Sequence, residues 1–405
     1  MKEKIKVFFK FIQLYRLLTK IYDYFNHILG FIKILKLIIK IDPNVEVFFF
    51  FPFYHTGGAE RVHLDIVSSM KKKSVVFFTL PSANEHFKSK FNSVSTCVEL
   101  EKFIRKPFQR YIVKYILLKK INFGKNKVVF GCHSMLFYEL LSSMNSNVKR
   151  IDLIHAFTGP CEPGFEKTSL PYIPLIEKRV VINLKAKNDI LNLYEEKKID
   201  SNFNERIQVI PNSTDFTCEV CPIKTENEFK VLYVGRNSPE KRINLLGKIA
   251  SDLKKVNDKI EIILIGENLI DAIDLADQKA CVFLANVDDR DFLAELYSSA
   301  HCVIITSSRE GFPMVFMEGM TFGCIPVSTD VGGIQEHVLN EETGFLVENT
   351  NDDVILIDCF VKLLLKIEQD RMKFEKISLN SHRHAQHNFG KAKFNFSYEQ
   401  LIQNK

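Results

Sequence analysis

The residues best equipped for chemistry are two carboxylates, Glu310 and Glu318, in the stretch SSREGFPMVFMEGMTFG that covers residues 307–323. The run Cys302-Val-Ile-Ile-Thr306 before it is short, apolar and β-branched, the pattern of a strand buried on both faces of a parallel sheet. Glu310 therefore falls on a loop at the carboxyl end of a strand, where open α/β sheets place their ligands. Pro313 suits the first turn of a helix, a position with no use for an N–H, and Gly323 suits the left-handed residue that closes one. Between them Met314, Val315, Phe316, Met317, Met320 and Phe322 make the helix apolar almost all round. Glu318 is expected to be buried in it, and a buried carboxylate without a partner costs several kcal/mol. The N–H groups of Gly311, Phe312, Met314 and Val315 gather where this helix begins, a place that attracts anions and phosphates above all. Acids accept hydrogen bonds from hydroxyls, and helix amides hold phosphates. The combination suits a ligand with both phosphates and polyol rings, such as a nucleotide-sugar. On the residues alone the alternative stays open that Glu310 is a solvated loop residue and Glu318 sits in an ion pair with a Lys or Arg.

The elements that position these residues repeat one pattern: buried strand, turn, helix. Val45 to Phe51 reads as a strand and leads through the glycine turn His55-Thr-Gly57-Gly58-Ala-Glu60-Arg61 into a helix with Val62, Ile66 and Met70 on one face. This is the opening of a doubly wound domain, in which the turn lets a ligand approach the backbone. Val75 to Thr79 is a further strand, and residues 87–120 read as helical. Val128 to Cys132 ends at His133 and Arg150 to Ile154 ends at His155, so two histidines fall on the ligand edge, where each is either a structural residue or a functional one. Residues 216–229, polar and acidic, read as an interdomain linker. Lys230 to Val234 restarts a buried strand, followed by Gly235-Arg236-Asn-Ser-Pro-Glu240-Lys241-Arg242. Arg236 and Lys241 are either solvated surface charges or phosphate ligands, Arg by a fork and Lys as a point charge. Ile262 to Gly266 and Ile325 to Ser328 are further strands, and residues 352–405 read as helices.

A chain of 405 residues is long enough for two domains, and 46% hydrophobic with 26% charged residues is an ordinary globular composition. The net charge of +6 is confined to residues 1–42, which hold nine Lys/Arg against three Asp/Glu, leaving 46 against 46 in the body. A neutral body argues against nucleic acid as a partner. In residues 1–42 the polar residues form one narrow stripe on an otherwise apolar helix. That suits either a helix lying in the interface of an anionic membrane or extra helices packed on the first domain. Lysines interrupt every candidate transmembrane span. Nine scattered cysteines point to reduced thiols and a cytosolic protein. Cys218-Glu-Val-Cys221 is a lone pair and reads as incidental, and Asp289-x-Asp291 reads as a helix cap rather than a metal site.

Glu310-x7-Glu318, Gly332-Gly333-x2-Glu336 and Gly344-Phe-Leu-Val347 follow one another in order, and together they resemble the donor-site signature of the retaining glycosyltransferases of family 4, of the group 1 type and GT-B fold. The turn Gly57-Gly58-Ala-Glu60-Arg61-Val62 matches that family's GGAERV turn letter for letter, and Gly235-Arg236 with Glu240-Lys241 is similar to its Gly-Arg…Glu-Lys loop. Ser213 departs from the family's Pro-Asn-Gly turn. The resemblance implies an α/β protein with two Rossmann-like parallel-sheet domains facing a cleft. Residues 1–42 would be a basic amphipathic extension, 43–217 the acceptor side, 218–380 the nucleotide-sugar domain, and 381–405 a helix returning to the first domain. Glu318 would then bind ribose hydroxyls and Glu310 donor-sugar hydroxyls. Arg236, Lys241 and the amides after Gly311 would hold the diphosphate. Gly57 and Gly58 would lie where donor and acceptor meet, Gly235 and Gly266 would pass close to the nucleotide, and His155 would sit beside the reacting sugar. The implied reaction moves a sugar from a nucleoside diphosphate to a hydroxyl of a glycan or lipid-linked acceptor with retention, in surface polysaccharide or lipopolysaccharide synthesis. It needs no metal and no cofactor, and it takes place on the inner face of the cell membrane. A GT-B epimerase, a phosphorylase and a non-enzymatic membrane scaffold are the rival readings.

Overall fold

In the computed structural model of the chain, the described residues are 24–25, 27–155, 157, 164–287 and 289–403. Most of the basic extension expected over residues 1–42 lies outside them. Its described part is helical over 27–39 and buries Phe31, Ile38 and, just beyond, Ile41. No described helix is long and apolar enough to cross a membrane.

The apolar runs become strands of two sheets. The first holds β1 (Val47–Phe51), β2 (Ser74–Phe78), β3 (Thr96–Glu99), β4 (Val128–Cys132), β5 (Lys149–Ile154), β6 (Lys178–Val181) and β7 (Ile207–Val209), in the order β3-β2-β1-β4-β5-β6-β7. The second holds β8 (Phe229–Val234), β9 (Ile260–Ile265), β10 (Cys281–Leu284), β11 (Cys302–Ile305), β12 (Ile325–Thr329) and β13 (Phe345–Val347), in the order β10-β9-β8-β11-β12-β13. The described pairings in both are parallel, as in β1 with β2 and β4, and β8 with β9 and β11. Parallel neighbours require crossovers, which the helices Gly58–Ser68 and Ile243–Val256 supply between the first two strands of each sheet. Helices on both faces explain why β1, β4, β11 and β12 are buried at every residue.

Each sheet starts at a central strand, winds outward, then returns and continues on the other side of that strand. The winding reverses between β1 and β4 and again between β8 and β11. At such a switch point the loops leave neighbouring strands in opposite directions and open a crevice at their carboxyl ends. Along β8, Val231 and Tyr233 pack on one face with the helices Ile243–Val256 and Asp353–Gln369, while Leu232 packs on the other with Phe316 and Met320 of the helix Met314–Thr321.

By Cα proximity the described residues divide into two compact units, one of those within 24–153 and 169–178, the other of those within 154–168 and 179–403. The stretch 87–120 differs from its helical expectation. Helices Lys88–Val94, Glu101–Ile104 and Pro107–Ile121 are interrupted by β3, an edge strand too short and too exposed to show an alternating pattern. Asp289 caps the helix Arg290–Ser299 by accepting from the N–H groups of Asp291 and Phe292 at 2.9 and 3.2 Å. Cys218 and Cys221 are free thiols.

Candidate active site

The site is built on the loops that leave β8 and β11 at the second switch point, and four groups of interactions lace them together. Ser308 N–H donates to the Glu240 carbonyl at 2.8 Å. Thr306 Oγ1 donates to the carbonyls of Lys241 and Arg242 at 3.0 and 3.2 Å. Arg242 returns along the same seam, with Nε on the Thr306 carbonyl at 2.6 Å and Nη2 on the Ser307 carbonyl at 2.9 Å. Its guanidinium also reaches Asn349 Oδ1 at 2.8 Å and the Thr350 carbonyl at 3.3 Å. The Arg242 backbone is left-handed, φ 49°, so a non-glycine residue holds a costly conformation at the end of the loop. Sequence reasoning passed over Arg242, because no local pattern marks an arginine as a staple.

Held this way, Lys241 meets Glu310. Lys241 Nζ stands 2.6 Å from Glu310 Oε1, and Ser307 Oγ donates to the same oxygen at 2.6 Å. The Glu310 side chain is only 9% exposed against 22% for Lys241, which makes this a largely desolvated pair rather than a solvated surface one. The open alternative that Glu310 is a solvated loop residue therefore does not hold. Arg236 is different: its side chain is 66% exposed and 3.9 Å from Glu240, a solvent-facing cation at the rim of the same loop.

Glu318 lies on the helix Met314–Thr321, with Pro313 as its N-cap and Gly323 beyond its end at φ 72°. The expected burial is corrected here. Glu318 is half-buried, as are Met314 and Val315, because positions three and four residues apart share one side of a helix and that side is open. Tyr297 Oη donates to Glu318 Oε2 at 2.8 Å. Burial, and then the Glu318 charge, push the Tyr297 phenol well above its ordinary value, so it remains a neutral donor. Met314 and Val315 are the first residues of the helix, and their N–H groups have no partner within it.

Close backbone approach explains two glycines. Gly266, φ 151°, stands where a Cβ would lie 2.0 Å from the Gly235 carbonyl oxygen, so the β8 and β9 loop backbones touch. Gly332, φ 60°, stands where a Cβ would lie 1.8 Å from the Glu310 carbonyl oxygen. The neighbouring Gly333 donates its N–H to the Gly311 carbonyl at 2.9 Å, and Asn183 Nδ2 donates to that same oxygen at 3.2 Å. The Gly332-Gly333 pair is thus the floor on which Glu310 and Gly311 rest. Glu336 accepts from the N–H groups of Leu184 and Lys185 at 2.8 and 2.6 Å, capping the helix Leu184–Glu196, so the third acid of the signature is structural. Phe312 is buried against His337 and Phe389 at ring separations of 4.8 and 5.4 Å. His155 follows β5, and a Cβ on Gly311 would come within 3.0 Å of its carbonyl oxygen.

Gly57 and Gly58 belong to the other compact unit, where β1 leads into the helix Gly58–Ser68. Glu60, 4% exposed, folds under this turn: a Cβ on Gly57 would lie 2.0 Å from its Oε2, and His55 Nε2 is 4.0 Å from its Oε1. Arg236, Lys241, Glu310, Gly311, Met314, Val315 and Glu318 thus come together around the β8 and β11 loops.

A family model described as glycosyl transferases group 1 matches residues 222–380. Among curated proteins, the chain is 24% identical to the alpha-1,3/1,6-mannosyltransferase ALG2 of Dictyostelium discoideum, over 90% of this chain and 98% of that one. It is 23% identical to the lipopolysaccharide 1,2-N-acetylglucosaminetransferase of Salmonella typhimurium, over 59% of this chain and 64% of that one. Among solved structures, Anabaena HepE in complex with UDP superposes with a TM-score of 0.68 at 16% identity, covering 89% of this chain and all of that one. A glycosyltransferase from Rickettsia africae gives 0.66 at 18%, with the same coverage. At such identities the structural likeness speaks for the fold, and the family match and curated relatives speak for the activity. Residues 222–380 are a glycosyl transferases group 1 domain, and the chain is a glycosyltransferase of GT-B architecture with two Rossmann-like parallel-sheet domains.

Proposed function

We propose that the chain transfers a sugar from a nucleoside diphosphate donor to a hydroxyl of a glycan or lipid-linked acceptor, with retention at the anomeric carbon, as a retaining family 4 enzyme of surface-glycan synthesis. One observation carries this reading: a lysine–carboxylate pair, a helix N-terminus and a second carboxylate on the open side of that helix share one switch point. Glu318 would accept from ribose hydroxyls while Tyr297 holds it from behind. Glu310 would accept from the donor sugar. Arg236, Lys241 and the amides that follow Gly311 would face the diphosphate, where charge collects as the glycosidic bond breaks. The bond from the anomeric carbon to the diphosphate oxygen breaks, the acceptor oxygen bonds to that carbon on the same face, and the acceptor proton passes to the leaving phosphate oxygen. In this reading His155 donates a hydrogen bond near the reacting sugar, Gly235 and Gly266 leave room for the nucleotide, and Gly57 and Gly58 touch the donor where it meets the acceptor. The residues divide at about 217 into acceptor and donor domains, and no metal or cofactor takes part. The relatives' names, a lipopolysaccharide N-acetylglucosaminetransferase and a mannosyltransferase, support transfer of a sugar in glycan synthesis.

The test is a thermal-shift screen of the purified chain against UDP-, GDP-, ADP-, CMP- and TDP-sugars, with and without divalent metal. Stabilisation by one nucleotide class that is indifferent to metal is expected, followed by NMR of the product showing the donor's anomeric configuration. Stabilisation by none of them overturns the donor reading, and an inverted product overturns retention.

A further inference from the structure

Residues 102–127 carry nine Lys/Arg and no Asp/Glu; Arg105 pairs with Glu101, Arg110 and Lys114 pair with Glu139, and Lys127 is buried, while Lys102, Lys106, Lys119 and Lys125 are exposed. Their principal element is the helix Pro107–Ile121, which buries Val113, Leu117 and Ile121 and turns Phe108, Tyr111 and Tyr115 outward at 74, 71 and 51% exposure. These positions are spaced by three and four and form one stripe, continued by Lys119, whose ammonium lies 4.5 Å from the centre of the Tyr115 ring.

A second helix runs beside it. His27 Nε2 is 2.9 Å from Gln109 Oε1 at one end, and Lys120 Nζ donates to the carbonyls of Ile39 and Ile41 at the other. Advancing from 27 to 39 on one helix therefore matches advancing from 109 to 120 on its neighbour, so the two are parallel and share an edge about 18 Å long. The helix over 27–39 buries Phe31 and Ile38 and exposes Ile32, Lys33, Lys36 and Leu37. Large aromatic and aliphatic side chains turned to solvent amid cations, on two adjoining helices, are not what a solvated face requires.

The geometry points to this pair of helices as a docking surface for an anionic phospholipid membrane. Charge complementarity selects that occupant: lysines attract acidic headgroups, while exposed Tyr and Phe rings belong at the headgroup level of a bilayer. The surface deepens the transferase reading by delivering the enzyme to a lipid-borne acceptor, and it rests on that reading only for the purpose it serves.

The experiment uses the full chain, sedimented with vesicles of phosphatidylcholine alone or of phosphatidylcholine with phosphatidylglycerol. Binding to the anionic vesicles only, weakened by salt, is expected. The variant Phe108→Ser/Tyr111→Ser/Tyr115→Ser changes only exposed side chains, so it should melt with the parent and lose at least about tenfold in vesicle binding. Val354→Ser/Phe396→Ser, which removes exposed apolar groups elsewhere, should bind as the parent does. Equal binding by the triple variant overturns the proposal and assigns lipid contact to other residues. No binding by the parent also overturns it, and if the parent is then a dimer and the triple variant a monomer, the surface is an interface between copies. Nucleotide-sugar stabilisation, measured without vesicles, reports separately on the donor reading.

Discussion

The two sheets are wound in the same order, yet their switch points are furnished differently. At the β8/β11 crevice charged groups converge and are fastened, with Lys241 on Glu310, Arg242 across four acceptors, and a glycine pair beneath. At the β1/β4 crevice the loop after β1 is tied by short neutral groups. Tyr54 and Thr56 donate their N–H groups to Ser82 Oγ and Asn84 Oδ1 at 2.9 and 3.1 Å, and Thr79 Oγ1 reaches Ser134 Oγ at 3.1 Å. Its acid, Glu60, is buried under the turn rather than aimed out of it. One switch point is fastened by charged groups and the other by short neutral ones; under the proposed function the first would hold the charged donor and the second would face the acceptor.

That contrast breaks most easily at Lys241. Lys241→Ala should lower kcat by about a hundredfold or more if the ammonium stabilises the leaving group, and should lower the melting temperature as well, because the desolvated Glu310 loses its cation. An unchanged kcat would remove the proposed role and the contrast with it. Arg242→Ala should come next, with about tenfold lost in kcat/KM and a melting temperature lowered by several degrees, because the carbonyls of Thr306 and Ser307 lose a charged donor. Rescue by Arg242→Lys should be partial, since one ammonium cannot reproduce the fork. A variant that lowers stability but leaves kcat/KM intact would make Arg242 purely structural.

Smaller effects sharpen the comparison. Glu318→Gln keeps the shape and the Tyr297 contact but weakens acceptance from ribose hydroxyls. UDP or GDP affinity, by calorimetry, should fall about five- to tenfold, and equal affinity in both proteins would refute the ribose assignment. Gly57→Ala, on the other side, should raise KM for the acceptor a few-fold and leave nucleotide affinity untouched. A loss of nucleotide affinity there would mean that both switch points serve the donor.

The least effect on chemistry is expected from acid. His337, packed on Phe312, is lowered to about 4, first by burial and then by His384, whose Nε2 is 3.1 Å from its Nδ1. The unfolded chain takes up this proton near the ordinary histidine value of about 6.5, the folded one only near 4. The unfolded state therefore binds more protons in between, and stability complete above pH 6.5 is lost as pH falls toward 4. Melting temperatures across that window should fall less steeply for His337→Gln than for the parent, and identical slopes would clear His337 of the effect.

Legibility followed the range of the interaction. The strands around the β8 and β11 loops could be read because each is buried on both faces and therefore a short β-branched run. The edge strand Thr96–Glu99 could not, since it pairs on one side only. The burial of Glu318 was misjudged because apolar residues all round a helix do not say which side the fold leaves open. Residues Gly332 and Gly333 were visible as glycines, but their purpose, the close passage of the Glu310 and Gly311 backbone, appears only when two distant loops meet.

The sequence by itself determined the two wound sheets, the place of each loop at a strand's carboxyl end, and the residue types on the β8 and β11 loops, all set by local periodicity, proline and glycine. Only the tertiary structure decided that Lys241 would pair with Glu310, that Glu336 would cap Leu184 and Lys185 rather than face the site, and that a left-handed Arg242 would staple two loops. Those arrangements join residues far apart along the chain. Such pairs are fixed by the packing of whole elements, a property that no window of sequence contains.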